Sequence, residues 1–171
     1  MKIKFIIHDD ARAEGARITD EVSIYIPIGK FLVLAHDVLS GVYARKKRDA
    51  IQAGAKYPTY FEHYGGSRTA PITFTRFALL NGKTESAEFA FLATSGAGKL
   101  TATGGIQPVG KAEAGASDIH ESSIFINMPD EKLKEFLLIG KAYIEQYVAL
   151  DIQGRLESVR AQREAYRESQ R

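Results

Sequence analysis

The sequence predicts an α+β fold, an antiparallel β-sheet packed on two main helices with a third, charged helical tail. Three observations predict it. Short apolar segments alternate with polar residues at the period of a half-buried strand. Two such segments, Ser23-Ile24-Tyr25-Ile26 and Ser123-Ile124-Phe125-Ile126, each run past a proline into a stretch of helical period. Between them, residues 57–94 are rich in aromatic and β-branched residues broken by Gly65-Gly66 and Asn81-Gly82, the pattern of an antiparallel meander.

In chain order, Lys2-Ile3-Lys4-Phe5-Ile6-Ile7 reads as a strand, and the small polar segment Asp9–Asp20 as a turn or loop. The Ser23–Ile26 strand ends at Pro27, which cannot donate to a ladder. From Lys30 to Ala50, Phe31, Leu34, Val38, Leu39 and Val42 recur at three and four, so one helix is expected there. It closes on Arg45-Lys46-Lys47-Arg48, which suits either the negative end of a helix dipole or a phosphate contact.

The aromatic stretch Tyr57–Tyr64 leads through Gly65-Gly66 and Arg68 to Ile72-Thr73-Phe74-Thr75-Arg76-Phe77, the strongest strand signal in the chain. Asn81-Gly82 then marks a hairpin into Ala87–Leu92, with flanks long enough to allow a larger loop. Residues 94–118, rich in Gly, Ala, Ser and Thr, read as a long flexible connection. Within it Thr94–Thr101 imitates a phosphate-binding loop, but Ala93 replaces the leading glycine and Leu100 the metal-holding hydroxyl. After the second strand, Pro129 opens a helix from Asp130 to Ile152. Gly154 suggests a break before the tail 155–171, where Ile152, Leu156, Val159 and Tyr166 share a side interrupted by Arg163. The tail reads either as a frayed, solvated helix or as an oligomer-forming or partner-binding one. The expected organisation is one domain over 1–154, with halves 1–53 and 54–154 if the strand–helix unit is duplicated, followed by the tail.

Composition sets bounds on function. Of 171 residues, 44% are hydrophobic and 26% charged, values ordinary for a globular chain with a real core. The absence of cysteine excludes disulfides and thiolate chemistry and fits a reducing, cytoplasmic setting. No apolar run approaches a membrane span, and the first residues do not form a signal peptide. A net charge of +2 neither demands nor forbids a nucleic-acid partner.

Catalytic patterns are weak. His8-Asp9-Asp10 and His120-Glu121 hold metal-competent groups, but adjacent strand residues face opposite sides, so neither is a ready chelate. His36 beside Asp37 reads as a surface or core-edge residue. No catalytic motif appears, so no enzymatic activity, metal or cofactor is expected. Metal-assisted hydrolysis through His8, Asp9 and Asp10 is the enzymatic alternative.

Strands that interleave aromatics with cations suit unpaired nucleic acid, because bases stack on rings while cations follow phosphates. The candidates are Lys2 and Lys4, the tyrosines Tyr57, Tyr60 and Tyr64, then Arg68, Arg76 and Lys83. Lys99, Lys111 and the cluster Arg45, Lys46, Lys47 and Arg48 add charge. Phe74, Phe89 and Phe91 are expected in the core. Glu62, Glu85 and Glu88 lie among these strands and would repel phosphate from a shared face.

The run Asp20–Ile28 entering an apolar helix resembles the last strand-to-helix step of the whirly single-stranded DNA-binding proteins. Ile72–Phe77, the hairpin and Ser123–Ile126 entering a helix at Pro129-Asp130-Glu131 are similar to the unit of the positive cofactor four fold. The resemblance covers about half the chain. It implies a homo-oligomer, a tetramer, with single strands lying across its sheets. The expected function is therefore non-enzymatic binding of single-stranded DNA or RNA, in a phage or bacterial replication or recombination setting. A protein–protein module acting through the helical tail and the Gly-rich loop is the alternative.

Overall fold

The computed structural model describes residues 1–55, 58–84, 86–110 and 119–169. Among these residues, antiparallel sheets and three helices form an α+β fold. Strands β1 (Lys2–His8) and β2 (Ile18–Tyr25) form a two-stranded hairpin in which Phe5 opposes Val22 and Ile3 opposes Ile24. Alternation then turns Phe5, Val22 and Ile24 into the core and leaves Lys2, Lys4 and Tyr25 outside.

Helix α1 (Ile28–Leu39) buries Phe31, Leu34, Ala35 and Val38. The helix expected over 30–50 is in fact two. The chain turns at Ser40-Gly41, where Gly41 takes φ +75°, a conformation that costs a Cβ-bearing residue heavily, and α2 (Val42–Gln52) begins anew. Only Tyr43 of α2 is buried, so its basic run stays near solvent.

The larger sheet has the order β3 (Thr59–Gly65), β4 (Thr73–Thr84), β5 (Ala87–Leu100) and β6 (Ile106–Pro108), with β7 (Ser122–Met128) also on β5. Strand β5 is its axis. One side pairs with β4 along most of its length, and the other is shared by β7, against Phe89–Ser95, and β6, against Gly98–Leu100. Large and small residues alternate across neighbouring strands: Phe77 lies beside Ala93, and Ala93 beside Ile124. The rings of Phe77 and Phe91 pack at 5.0 Å, and Phe5 joins them from the hairpin at 5.7 and 6.2 Å.

Several expectations needed correction. Asn81-Gly82 is not the hairpin turn; both residues lie inside β4, which runs on to Thr84. The register shifts there, and a side chain at Gly82 would strike the Ala87 carbonyl, so the glycine serves close strand approach. Residues 94–100 continue β5 and 106–108 form β6, so much of the expected flexible connection is sheet; residues 111–118 lie outside the described residues. Helix α3 (Asp130–Ser169) passes through Gly154 without a break. Both strand–proline–helix steps exist, but β2 and β7 enter different sheets. The chain divides into two compact units, Met1–Lys134 and Glu135–Arg171, the second helical from Glu135 to Ser169.

Phe77 is wholly buried among Phe5, Phe61 and Phe91. Phe77→Ala is expected to lower unfolding stability by about 3–5 kcal/mol in urea denaturation. A loss under about 1 kcal/mol would mean that this cluster does not hold the sheet to the hairpin.

Candidate functional site

Two tyrosines left outside by strand alternation meet at one groove. In β2, Ile24 is buried, and Ile26 just beyond the strand is buried too, so Tyr25 points outward with 67% of its surface exposed. Its cross-strand partner Lys2 holds Nζ 5.7 Å from the ring centroid. In β3, His63 is buried and Tyr64 is 51% exposed.

The two strands are tied by one hydrogen bond. His63 Nε2 lies 2.9 Å from the Tyr25 carbonyl oxygen. A carbonyl only accepts, so Nε2 carries the proton and donates, and the buried Nδ1 has no hydrogen-bond partner among the described residues. This bond holds the edge of the larger sheet against the end of β2. Tyr25 and Tyr64 consequently border the same groove, of about 480 Å³, which is also lined by Ser23, Pro27, His63, Gly65, Gly66, Ser67, Thr73 and Thr75. Gly66 sits at φ +134°, and a Cβ there would collide with the Thr73 backbone, so the groove wall needs glycine.

Among the described residues the groove lining holds no Asp, Glu, Lys or Arg; charge stands beside it. Tyr64 packs on Phe74 at 5.9 Å and donates its hydroxyl to Glu62 Oε2 at 3.0 Å. The Arg76 guanidinium grips Glu62 Oε1 through Nε at 3.0 Å and through a second nitrogen. Burial, followed by the Glu62 carboxylate, pushes the Tyr64 hydroxyl above its usual pKa, while Arg76 opposes them.

The other expected residues fall in different places. Tyr60 is only 9% exposed. A register shift in β3 turns its ring inward against Tyr43 and Phe89, so it is a core residue and no stacking platform. Tyr57 and Lys111 lie outside the described residues. Lys4 pairs with Glu21 at 2.7 Å, and Arg68 is exposed in the loop just past the groove.

Lys47 is committed to the fold: it donates to the Glu88 carbonyl at 2.6 Å, and burial lowers its pKa. Arg45, Lys46 and Arg48 remain exposed, with Lys46 4.9 Å over the Tyr43 ring. Lys83 stands 4.1 Å over Phe125, and Lys99 is exposed near the end of β5. These cations come from different elements: Lys2 and Lys4 from β1, Arg45, Lys46 and Arg48 from α2, Lys83 from β4 and Lys99 from β5.

Tyr25 was absent from the sequence candidates, although the signal was there. Buried isoleucines on both sides of a strand residue force that residue outward. The metal-competent groups do not converge. Asp9 is used by the Ala11 amide and Arg12, His8 meets Asp10 at 3.1 Å, and His120 meets Asp20 at 3.4 Å. Among the described residues no group of three or more His, Cys, Asp or Glu side chains could hold a metal ion. A second cleft, of about 330 Å³ between Phe74, Gly96, Pro108 and Glu121, offers a carboxylate and, among the described residues, no cation.

Comparison with known proteins finds no match: no family model fits the chain, and no curated protein or solved structure is significantly similar. Among the described residues, no helix is long and apolar enough to cross a membrane.

Glu62 raises the Tyr64 pKa both by accepting its proton's hydrogen bond and by repelling the phenolate. In Glu62→Gln the Tyr64 pKa is expected to fall back toward the ordinary tyrosine value, read as tyrosinate absorbance against a Tyr64→Phe control. An unmoved titration would show that burial alone sets it.

Proposed function

We propose that the protein binds single-stranded nucleic acid without turnover, with unpaired bases stacking on Tyr25 and Tyr64 across the groove at the edge of the larger sheet. The observation that carries this reading is the pairing of two exposed rings on one groove, one of them beside a lysine. Each base–ring stack contributes about 1–3 kcal/mol and needs no particular base, since every base has a flat face. A duplex keeps its bases stacked on each other and offers none to the tyrosines.

Lys2, Arg68 and Arg76 are the cations placed to follow the phosphates. Arg76 is already paired with Glu62, which weakens its pull. With so few phosphate contacts and a net charge of +2, affinity rests on stacking more than on charge. The basic side chains Arg45, Lys46 and Arg48 on α2 supply a second, weaker attraction. The assembly implied by the sequence resemblance, a homo-oligomer, would multiply such grooves.

Fluorescence anisotropy with a labelled single-stranded oligonucleotide, titrated over salt beside a duplex, tests this. Preference for the single strand is expected, with a shallow salt dependence, a slope of about −0.7 per phosphate contacted. Tyr25→Ala and Tyr64→Ala should each weaken binding by about 5- to 150-fold, the equivalent of one stack. No binding at low salt overturns the reading. So does binding that both alanine variants retain in full.

A further inference from the structure

Along α3, apolar side chains continue where burial does not. Ala149, Ile152, Leu156 and Val159 follow one another at spacings of three and four, and all are exposed. Glu145 precedes them and Arg163 follows at the same spacing, also exposed. In a heptad frame, Glu145, Ile152 and Val159 take one core position, and Ala149, Leu156 and Arg163 take the other. A seam of period 3.5 suits another helix, because only a supercoiled helix keeps such a stripe covered over several turns. All six residues lie within the helical unit Glu135–Arg171.

The seam is complementary to itself in one direction. An antiparallel copy aligned so that Leu156 meets Ile152 of the second copy also sets Ala149 against Val159, small against branched. The same alignment sets Arg163 against Glu145, and two-fold symmetry repeats every pair. Parallel alignment sets Glu145 against Glu145 and Arg163 against Arg163, like against like. Arg155 falls near the two-fold axis, where its charge is already met by Asp151 at 3.0 Å. An unrelated partner would require none of this internal symmetry, and it explains why an arginine ends the apolar stripe.

We infer that α3 is a self-association surface, through which two copies of this chain pair antiparallel along Ala149, Ile152, Leu156 and Val159, with Glu145 and Arg163 closing each end. The spacing and the paired charges set both partner and direction.

Sedimentation velocity of the full chain without nucleic acid, over about 1–100 μM, tests it apart from the function proposed above. Twice the 18.9 kDa chain mass is expected. Leu156→Glu should sediment as a monomer with unchanged circular dichroism, since the residue is exposed in the single chain. Glu145→Arg and Arg163→Glu should each weaken the dimer about tenfold, and the double reversal should restore it. A monomer at every concentration overturns the inference. A dimer that Leu156→Glu leaves intact, or that ignores both charge reversals, overturns it equally.

Discussion

Phe5 reaches from the small hairpin into the larger sheet and rests against Phe77 and Phe91, and the position of everything on the hairpin follows from that contact. A hairpin of two strands is marginal by itself and needs a surface to bury against. Here the surface is the buried face of β4 and β5, where Ala93 leaves room for the Phe77 ring beside it. Once Phe5 is seated, strand alternation sends Val22 and Ile24 inward with it and Tyr25 outward. The hydrogen bond from His63 to the Tyr25 carbonyl then fixes the end of β2 against the edge of β3. The tyrosine groove is thus a consequence of core packing, and its two rings are held by strands instead of loops.

The surroundings of the groove favour rings over charge. Its lining is tyrosine, glycine, proline, histidine and small hydroxyl residues. Two of the cations beside it are restrained: Lys2 lies over Tyr25, and Arg76 is held by Glu62. Glu62 also anchors Tyr64, so one carboxylate orients the Tyr64 ring and tempers the neighbouring guanidinium. Such an arrangement discourages indiscriminate attraction to phosphate, and it is consistent with a chain that carries almost no net charge.

Much of the fold was legible because its signals are local. The alternation in 2–7, 23–26, 72–77 and 123–126 marks strands that exist, and the two prolines open helices as expected. Gly41 was less legible, since helical period runs across it and only the positive φ shows the turn. Asn81-Gly82 misled for a related reason: glycine serves a tight turn and a close strand approach equally well, and the neighbouring strand decides which. Gly154 costs α3 some helical propensity without ending it. The site was half legible. Tyr64 and Lys2 were readable as exposed strand residues, whereas Tyr60 was turned inward by a register shift that no local pattern announces. Tyr25 becomes significant only when His63, thirty-eight residues away, is known to hold it beside Tyr64.

The most direct test of the account is a backbone NMR titration of the full chain with a short single-stranded oligonucleotide. The expected result is a set of shifted amides that converges on the groove, around Ser23 to Ile26, His63 to Ser67 and Thr73 to Thr75, with smaller changes on α2. Shifts confined to Arg45, Lys46 and Arg48, or to the cleft at Gly96 and Glu121, would contradict it and place recognition away from the tyrosines.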